Sequence, residues 1–457
     1  MITSFPSFTA VLNRRLRPGA TAPLAVGFSG GGDSLALLIL VLDWARAHGR
    51  PVLSLTVDHQ LNPASAGWTA EAVAKARALG AQARALAWTG PKPASGLSAA
   101  ARAARHALLA TAAREAGARV LLLGHTADDL AEAALMRAQG STVPDPRDWS
   151  PSPAWPEGRG VFVLRPLLSV GRGEIRDRLA ARGETWLDDP ANEDPRSARA
   201  RARRDLQQPS GTSKQGAAPD APSVTPLRDA PPAPFHGGGE GYLVLPRDAP
   251  AAHVAAACLC AAGTARPPRG ERLQRLVDRI RTDEIFTATL AGARIEAAGE
   301  GVSFFRESGE TRRSANPPPV GEVSAKPTVG GDVERSTSPP TDPSGRLPHR
   351  GRDDLAHPVA LPVNRPVVWD GRYELIAVET GLVVRPLQGL AARLPTAQRQ
   401  ALKALPPAAR PALPAVVDPE GGVSCPILAG AKTTRARCLV ADRFEAATGR
   451  VDQEPAT

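Results

Sequence analysis

The chemistry-bearing residues of the sequence fall in a few short runs. The densest is Gly27-Phe28-Ser29-Gly30-Gly31-Gly32-Asp33-Ser34. Its glycines let backbone N–H groups approach an anion with no Cβ in the way. An apolar run, Leu24–Phe28, precedes them, and a helical pattern, Ser34–Ala47, follows. The loop therefore opens a helix, whose first turn carries unpaired N–H donors and partial positive charge. Ser29 and Ser34 add hydroxyls. This is an anion cradle suited to phosphates. It is neither a Walker loop, which ends in Gly-Lys-Ser/Thr, nor a GxGxxG turn. Asp33 places an acid in the phosphate site, which points to a Mg²⁺ bridge, since Mg²⁺ is held by one or two carboxylates plus phosphate oxygens. The plainer alternative is a glycine-rich turn with Asp33 as a helix cap.

Further groups stand where a ligand site of an α/β sheet would lie, beyond strand C-termini. Asp58-His59 ends a second apolar run. Gly124-His125-Thr126-Ala127-Asp128-Asp129-Leu130-Ala131-Glu132 ends a fourth and enters a helix. Asp129 and Glu132, three apart, share a helix face. Together they can hold an amine or a metal-bound nucleotide, or simply form a capped, solvated helix start. Arg102 and Arg105 lie on the preceding helix and suit phosphate or developing negative charge. Arg199, Arg201 and Arg203 are candidate phosphate-backbone contacts, with a solvated basic helix as the competing reading.

The elements that must position these groups follow from periodicity. Leu24–Phe28, Val52–Val57, Ala83–Trp88 and Val120–Gly124 are short apolar runs that read as buried strands. Ser34–Ala47, Ala66–Leu79, Leu97–Ala116 and Asp128–Ala138 between them read as helices. A fifth strand, Val161–Leu164, and a helix, Glu174–Arg182, complete the unit. Strands without alternation are covered on both faces, so the expectation is an α/β fold with a parallel sheet and helices on both sides. This domain spans 1–206. A linker or insertion rich in Pro, Gly, Ser and Gln takes 207–240. A small α+β module fills 241–308, with a helix at Glu271–Arg281 and strands at Ala288–Ile295 and Gly301–Arg306. A second low-complexity linker covers 309–362. A mostly β module, 363–457, has strands at Pro366–Trp369 and Tyr373–Val378.

Bulk properties narrow the classes. The 457 residues carry a net charge of +10, which suits a polyanionic partner or reflects an arginine-rich composition. The four cysteines match no zinc spacing and no disulfide framework, so a reducing cytoplasm is expected. In the first residues arginines follow the apolar stretch, the wrong order for a signal peptide. The longest apolar run, Leu35–Leu42, is too short to cross a membrane.

Ser29-Gly30-Gly31-Gly32-Asp33-Ser34 resembles the SGGxDS loop of the PP-loop ATP pyrophosphatase superfamily. The resemblance implies a Rossmann-like, HUP-like sheet and ATP cleavage between the α and β phosphates. Further stretches resemble one family within it, the tRNA(Ile)-lysidine synthases. Val57-Asp58-His59-Gln60-Leu61 resembles VDHxLR, with Asn62 in place of Arg. The run from Gly124 to Glu132 resembles GHxxDDxxET, with Ala133 for Thr. Arg102 to His106 resembles AR-x-x-RY, with His for Tyr. Leu164-Arg165-Pro166-Leu167-Leu168, Glu174-Ile175, Trp186–Asp194 and Arg199–Arg203 continue the match, with Ala200 where Asn is usual. Thr289–Ala293, Arg306-Glu307 and Trp369–Tyr373 look like segments of longer members.

The resemblance implies a ligase that forms a carbon–nitrogen bond between lysine and the wobble cytidine of the CAU anticodon in isoleucine tRNA. It implies ATP as co-substrate with Mg²⁺, and tRNA(Ile) and L-lysine as partners. It places ATP on Ser29, Gly30, Gly31, Gly32, Asp33 and Ser34. Asp33, Asp58, Arg105 and Asp129 become the catalytic candidates, and Arg199, Arg201 and Arg203 the tRNA contacts. No cluster forms a resident metal site. The rivals are a tRNA thiolase, a PP-loop ligase for a small metabolite, and a non-catalytic RNA-binding derivative. A thiolase needs sulfur-carrying cysteines in this domain, and no cysteine precedes Cys258.

Overall fold

The computed structural model describes residues 5–141, 146–187, 198–207, 238–307, 358–428 and 432–456. Its N-terminal part runs α1 (Pro6–Arg15), β1 (Leu24–Gly27), α2 (Gly32–Ala47), β2 (Val52–Asp58), α3 (Ser65–Ala78), β3 (Gln82–Ala87), α4 (Leu97–Glu115), β4 (Val120–Leu123), α5 (Ala127–Ala138), β5 (Trp149–Pro151), β6 (Phe162–Leu164), α6 (Arg172–Ala181) and α7 (Ala198–Gln207). Strand order in the sheet is β3-β2-β1-β4-β6-β5. The first five of these strands are parallel, and β5 pairs antiparallel with β6. The chain leaves β1 toward β2 on one side and returns to β4 on the other. That reversal opens a crevice between the C-terminal ends of β1 and β4, the usual ligand position in an open α/β sheet.

Burial explains why the middle strands are so apolar. Leu24, Ala25 and Val26 of β1 and all of β4 lie in the core, between α2 on one face and α4 on the other. Leu35 to Leu42 is buried on every side, which is why this helix lacks a polar stripe. Each such leucine contributes roughly 1.5–3 kcal/mol through burial.

Two expectations are corrected. Ala83–Trp88 was expected as a buried strand, yet β3 is mostly exposed. It is the sheet edge, bonded only to β2, and Gln82 and Arg84 are tolerated there. Ala288–Ile295 is not one strand but a hairpin, β8 (Phe286–Leu290) and β9 (Ala293–Ala298), after β7 (Leu243–Pro246) and before β10 (Gly301–Arg306). Ala291 and Gly292 both have positive φ, 53° and 83°, which makes a tight two-residue turn whose twist matches the flanking strands.

These four strands form a sheet of order β7-β10-β9-β8, covered by α8 (Ala251–Ala261) and α9 (Glu271–Ile280). Two small sheets follow within 358–438. The last helix, Val440–Ala447, returns to pack Val440 and Phe444 into the core under α8. The tail then reaches the N-terminal domain, where the carboxylate of Glu454 accepts from the buried Arg50 guanidinium at 2.7 and 2.8 Å. Of the stretches read as low-complexity, only 207, 238–240 and 358–362 fall within the described residues.

Candidate active site

The glycine loop sits at the C-terminal end of β1 and turns into α2. Gly30 has φ +87°, a conformation that favours glycine, and a Cβ there would stand 2.6 Å from Leu187 Cδ1. Leu187 is held in place by its own N–H, which donates to Gly30 O at 3.0 Å. The first helical bond is Leu35 N–H to Gly31 O, 2.9 Å. The N–H groups of Gly32, Asp33 and Ser34 therefore precede the helix's own ladder and stay available to an anion. Ser34 Oγ donates to Gly31 O at 2.8 Å and accepts from Ser29 N–H at 3.2 Å, with Ser29 Oγ 3.1 Å away. The two serines thus lace the loop closed. Gly124, at the end of β4, backs directly onto it. A Cβ at Gly124 would lie 3.0 Å from Asp33 O and 3.2 Å from Ser34 Cα.

Across the crevice, α5 begins with a capping box. Thr126 N–H and Thr126 Oγ1 both donate to Asp129 Oδ2, at 2.9 and 3.2 Å. Asp128 accepts the first N–H of α6, from Arg172, at 2.7 Å. The Arg172 side chain then reaches three carboxylates from two other elements: Asp33 at 2.9 Å, Glu132 at 3.2 Å and Asp129 at 3.7 Å. Glu132 is almost completely enclosed, and it also meets Arg203 at 2.8 Å and Arg199 at 3.2 Å. Burial raises the Asp33 carboxyl above its ordinary range, and Asp129 adds to that rise. Arg172 offsets only part of it. Burial alone would weaken the charge of Arg172, but its bond to Asp33 and the fields of all three carboxylates hold it more firmly protonated than usual.

Beside this acidic group lies a cationic one. Arg105 and Arg165 have their guanidinium pKa values lowered to about 10. Burial is the main cause, followed by repulsion from neighbouring arginines, Arg102 first in each case. His106 and His125 are pushed to about 2 by burial and by the surrounding arginines, so both rings are neutral at physiological pH. Arg105 Nε, Arg165 Nε, His125 Nδ1 and both ring nitrogens of His106 are buried with no hydrogen-bond partner among the described residues. Buried donors normally have partners. Arg105 and Arg165 thus keep unused Nε–H donors, and each neutral imidazole offers one donor and one acceptor nitrogen.

The expected site residues distribute as follows. Ser29, Gly30, Gly31, Gly32, Asp33 and Ser34 form the loop itself. Asp33 and Asp129 come together around Arg172. Asp58 ends β2 and accepts from Gln60 N–H at 2.8 Å. His59 next to it packs edge-on against Trp88, and burial followed by Arg105 lowers its pKa. Arg199 and Arg203 turn inward to Glu132, while Arg201 lies on the exposed side of α7. Asp188 to Asp194, the rest of the motif that begins at Trp186, lie outside the described residues. All four cysteines are distant in sequence from this site. Burial pushes their thiols up to about 12 for Cys258 and about 11 for Cys260, Cys425 and Cys438, so none is a ready thiolate.

Sequence reasoning passed over Arg172, Arg165 and the imidazoles of His106 and His125 as site residues. One signal for Arg172 was present. A cation in the first turn of a helix opposes the helix dipole, so it needs acidic partners from elsewhere.

Comparison with known proteins is consistent with this geometry. The PP-loop domain family matches residues 6–209. The chain is 53% identical over 455 residues to the tRNA(Ile)-lysidine synthase of Caulobacter vibrioides, covering 98% of each. It is 38% identical over 305 residues to that of Hyphomonas neptunium, covering 63% of this chain and 82% of the relative. For the enzyme of Methylobacterium nodulans the figures are 37% over 328 residues, 66% and 95%.

Proposed function

The chain belongs to the tRNA(Ile)-lysidine synthase family, and from that premise we propose that it joins the ε-amine of lysine to C2 of the wobble cytidine in the CAU anticodon of tRNA(Ile), consuming ATP. The observation that carries this reading is the meeting, at one crevice, of a phosphate-binding loop with a carboxylate pair, Asp129 and Glu132, suited to an ammonium.

The chemistry divides into two displacements. The C2 oxygen of cytidine attacks the α-phosphorus of ATP, and pyrophosphate leaves into the loop of Ser29–Ser34. The N–H groups at the start of α2 and the Ser29 hydroxyl receive its charge. Arg105, buried beside Arg102, offsets negative charge that builds on the α-phosphate. Asp58 ends β2 and His59 follows it, where burial and then Arg105 lower the His59 pKa. The lysine nitrogen then attacks C2, the C2–oxygen bond breaks, and AMP departs with that oxygen. Free lysine has a pKa of about 10.4, so its ammonium must lose a proton before attack. Asp129 accepts it, with Glu132 orienting the amine. The cytidine has to leave its stack to reach this crevice.

Mg²⁺ enters with ATP in this reading. The fit rests on Asp33, a partly buried carboxylate at the phosphate loop whose ionised form needs a cation beside it. Asp33 would hold the ion beside the phosphates, and the ion would supply neutralisation of their charge. The setting of the reaction is the cytoplasm, where tRNA is matured.

Incubation of the protein with unmodified tRNA(Ile), ATP, Mg²⁺ and labelled lysine tests the proposal. Label enters the tRNA, with one AMP and one pyrophosphate formed per lysine. RNA that stays unlabelled while the protein binds it would leave only an RNA-binding derivative.

A further inference from the structure

Resting on the ligase reading, we propose that Arg172 is a positioning residue that couples the two substrate sites: in the free protein it occupies the acidic subsite meant for the lysine ammonium, and nucleotide phosphates draw it away.

One guanidinium spans the loop and the amine subsite. It holds Asp33 at 2.9 Å on the phosphate side, and Glu132 at 3.2 Å and Asp129 at 3.7 Å on the amine side. Its backbone is fixed, because its N–H is bonded to Asp128 at 2.7 Å as the first residue of α6. The side chain can therefore swing only about a fixed root. Glu132 Oε1 already accepts from Arg172 and Arg203, and Asp129 Oδ2 from the Thr126 N–H and hydroxyl, so a lysine ammonium that takes these oxygens must displace this guanidinium. A nucleotide in the loop helps in two ways. It gives Arg172 phosphate oxygens within a side chain's reach of Asp33, and guanidinium–phosphate pairs are among the strongest charge-assisted bonds. It also brings its own cation to Asp33, which removes the partner that Arg172 holds most closely. Arg203 and Arg199 stay on Glu132, with Arg199 also 3.5 Å from Asp129 Oδ1, and they hold the Glu132 carboxylate in place.

The consequence is a positive linkage between ATP and lysine with no large conformational change. It is reciprocal by thermodynamic necessity. It also disfavours lysine in a site without ATP, where no adenylate can form.

Calorimetric titration of lysine into the full-length protein, with and without a magnesium-loaded ATP analogue that cannot be cleaved between the α and β phosphates, tests this. Wild-type protein binds lysine about five-fold or more tightly when the analogue is present. In Arg172→Gln that ratio falls to near one, because lysine binds well without nucleotide. Arg172→Lys keeps a charge but cannot fork across both sides, and its ratio falls between the two. It decides the matter should the glutamine variant fail to fold by circular dichroism. A wild-type ratio of one, or an undiminished ratio in the folded variants, overturns the coupling while leaving the ligase reading intact. Absence of lysine binding in every arm sinks the ligase reading, and the coupling with it.

Discussion

Glu132 offers the sharpest test of how the acidic group organises its surroundings. Its side chain is 1% exposed and meets Arg203 at 2.8 Å, Arg199 at 3.2 Å and Arg172 at 3.2 Å. Glu132→Gln keeps the shape and removes the charge. Removing one partner of a fully buried ion pair costs about 3–5 kcal/mol. The Arg199 and Arg203 side chains are 36% and 29% exposed, so water recovers part of that, and about 2 kcal/mol is the working figure. The loss is local. Helix α7 is tied to α5 by these arginines, Arg199 also reaching Asp129 at 3.5 Å, and it buries Ala200 and Ala202.

About 2 kcal/mol corresponds to roughly a 30-fold change in an opening equilibrium. Hydrogen exchange followed by mass spectrometry is the assay, with residues 198–207 as the reporter. Their protection drops by roughly that factor in Glu132→Gln, and the strands β1 and β4 keep theirs. Protection of α7 within three-fold of the wild type refutes the idea that this carboxylate holds the helix. Binding of tRNA weakens in parallel with the exchange, because a loosened helix no longer presents its arginines in one place.

Three further outcomes are expected. Asp129→Asn retains an oxygen for the Thr126 N–H and so keeps the helix cap. It costs under about 1 kcal/mol of stability yet slows lysine transfer by about 10²–10⁴, with tRNA affinity unchanged; transfer near the wild-type rate in a single-turnover assay removes Asp129 from proton transfer. Gly124→Ala touches no ligand, but its Cβ would press on the backbone of Asp33 and Ser34 at 3.0 and 3.2 Å, so the Michaelis constant for ATP rises while that for tRNA holds; unaltered ATP kinetics contradict the close backing of the loop. His106 and His125 titrate near 2 when folded against about 6.5 unfolded. Below pH 6.5 the unfolded chain therefore binds more protons, and stability falls as pH falls, by up to about 1.4 kcal/mol per pH unit for each ring. Melting temperatures between pH 7.5 and 5 decline less steeply in His106→Phe, and equal slopes would show that the ring already takes up a proton in the fold.

The phosphate loop was legible because everything it needs is local: an apolar strand, three glycines, two serines and a helix start lie within a dozen residues. The inner strands were legible because burial on both faces demands unbroken apolar runs. The hairpin at Ala291-Gly292 was not, because apolar residues continue through the turn and neither Asn nor Asp marks it. The edge character of β3 depends on which strand pairs with which, a non-local fact. The Arg172 cluster is hidden for the same reason. Its members come from positions 33, 129, 132 and 172, and each has an ordinary local explanation as a cap or a surface charge. The buried imidazoles have no periodic signature, since a histidine on an apolar face reads as core.

The arrangement also explains why α7 carries arginines at alternate positions. Arg199 and Arg203 are four apart and lie on one face, turned to Glu132. Arg201 falls on the opposite, exposed side. Arg199 additionally repels Arg102 and Arg105, whose pKa values it helps to lower after burial. The helix is therefore the seam between the arginines Arg102 and Arg105 and the carboxylates Asp129 and Glu132. A reaction that joins an ammonium-bearing substrate to a polyanion needs both kinds of group within a bond's reach of each other, yet unpaired across the gap. With two arginines of α7 on Glu132, its third partner, Arg172, is the one that exchanges. RNA phosphates can then be met by the outward face of the same helix without drawing the inward arginines away from their carboxylate.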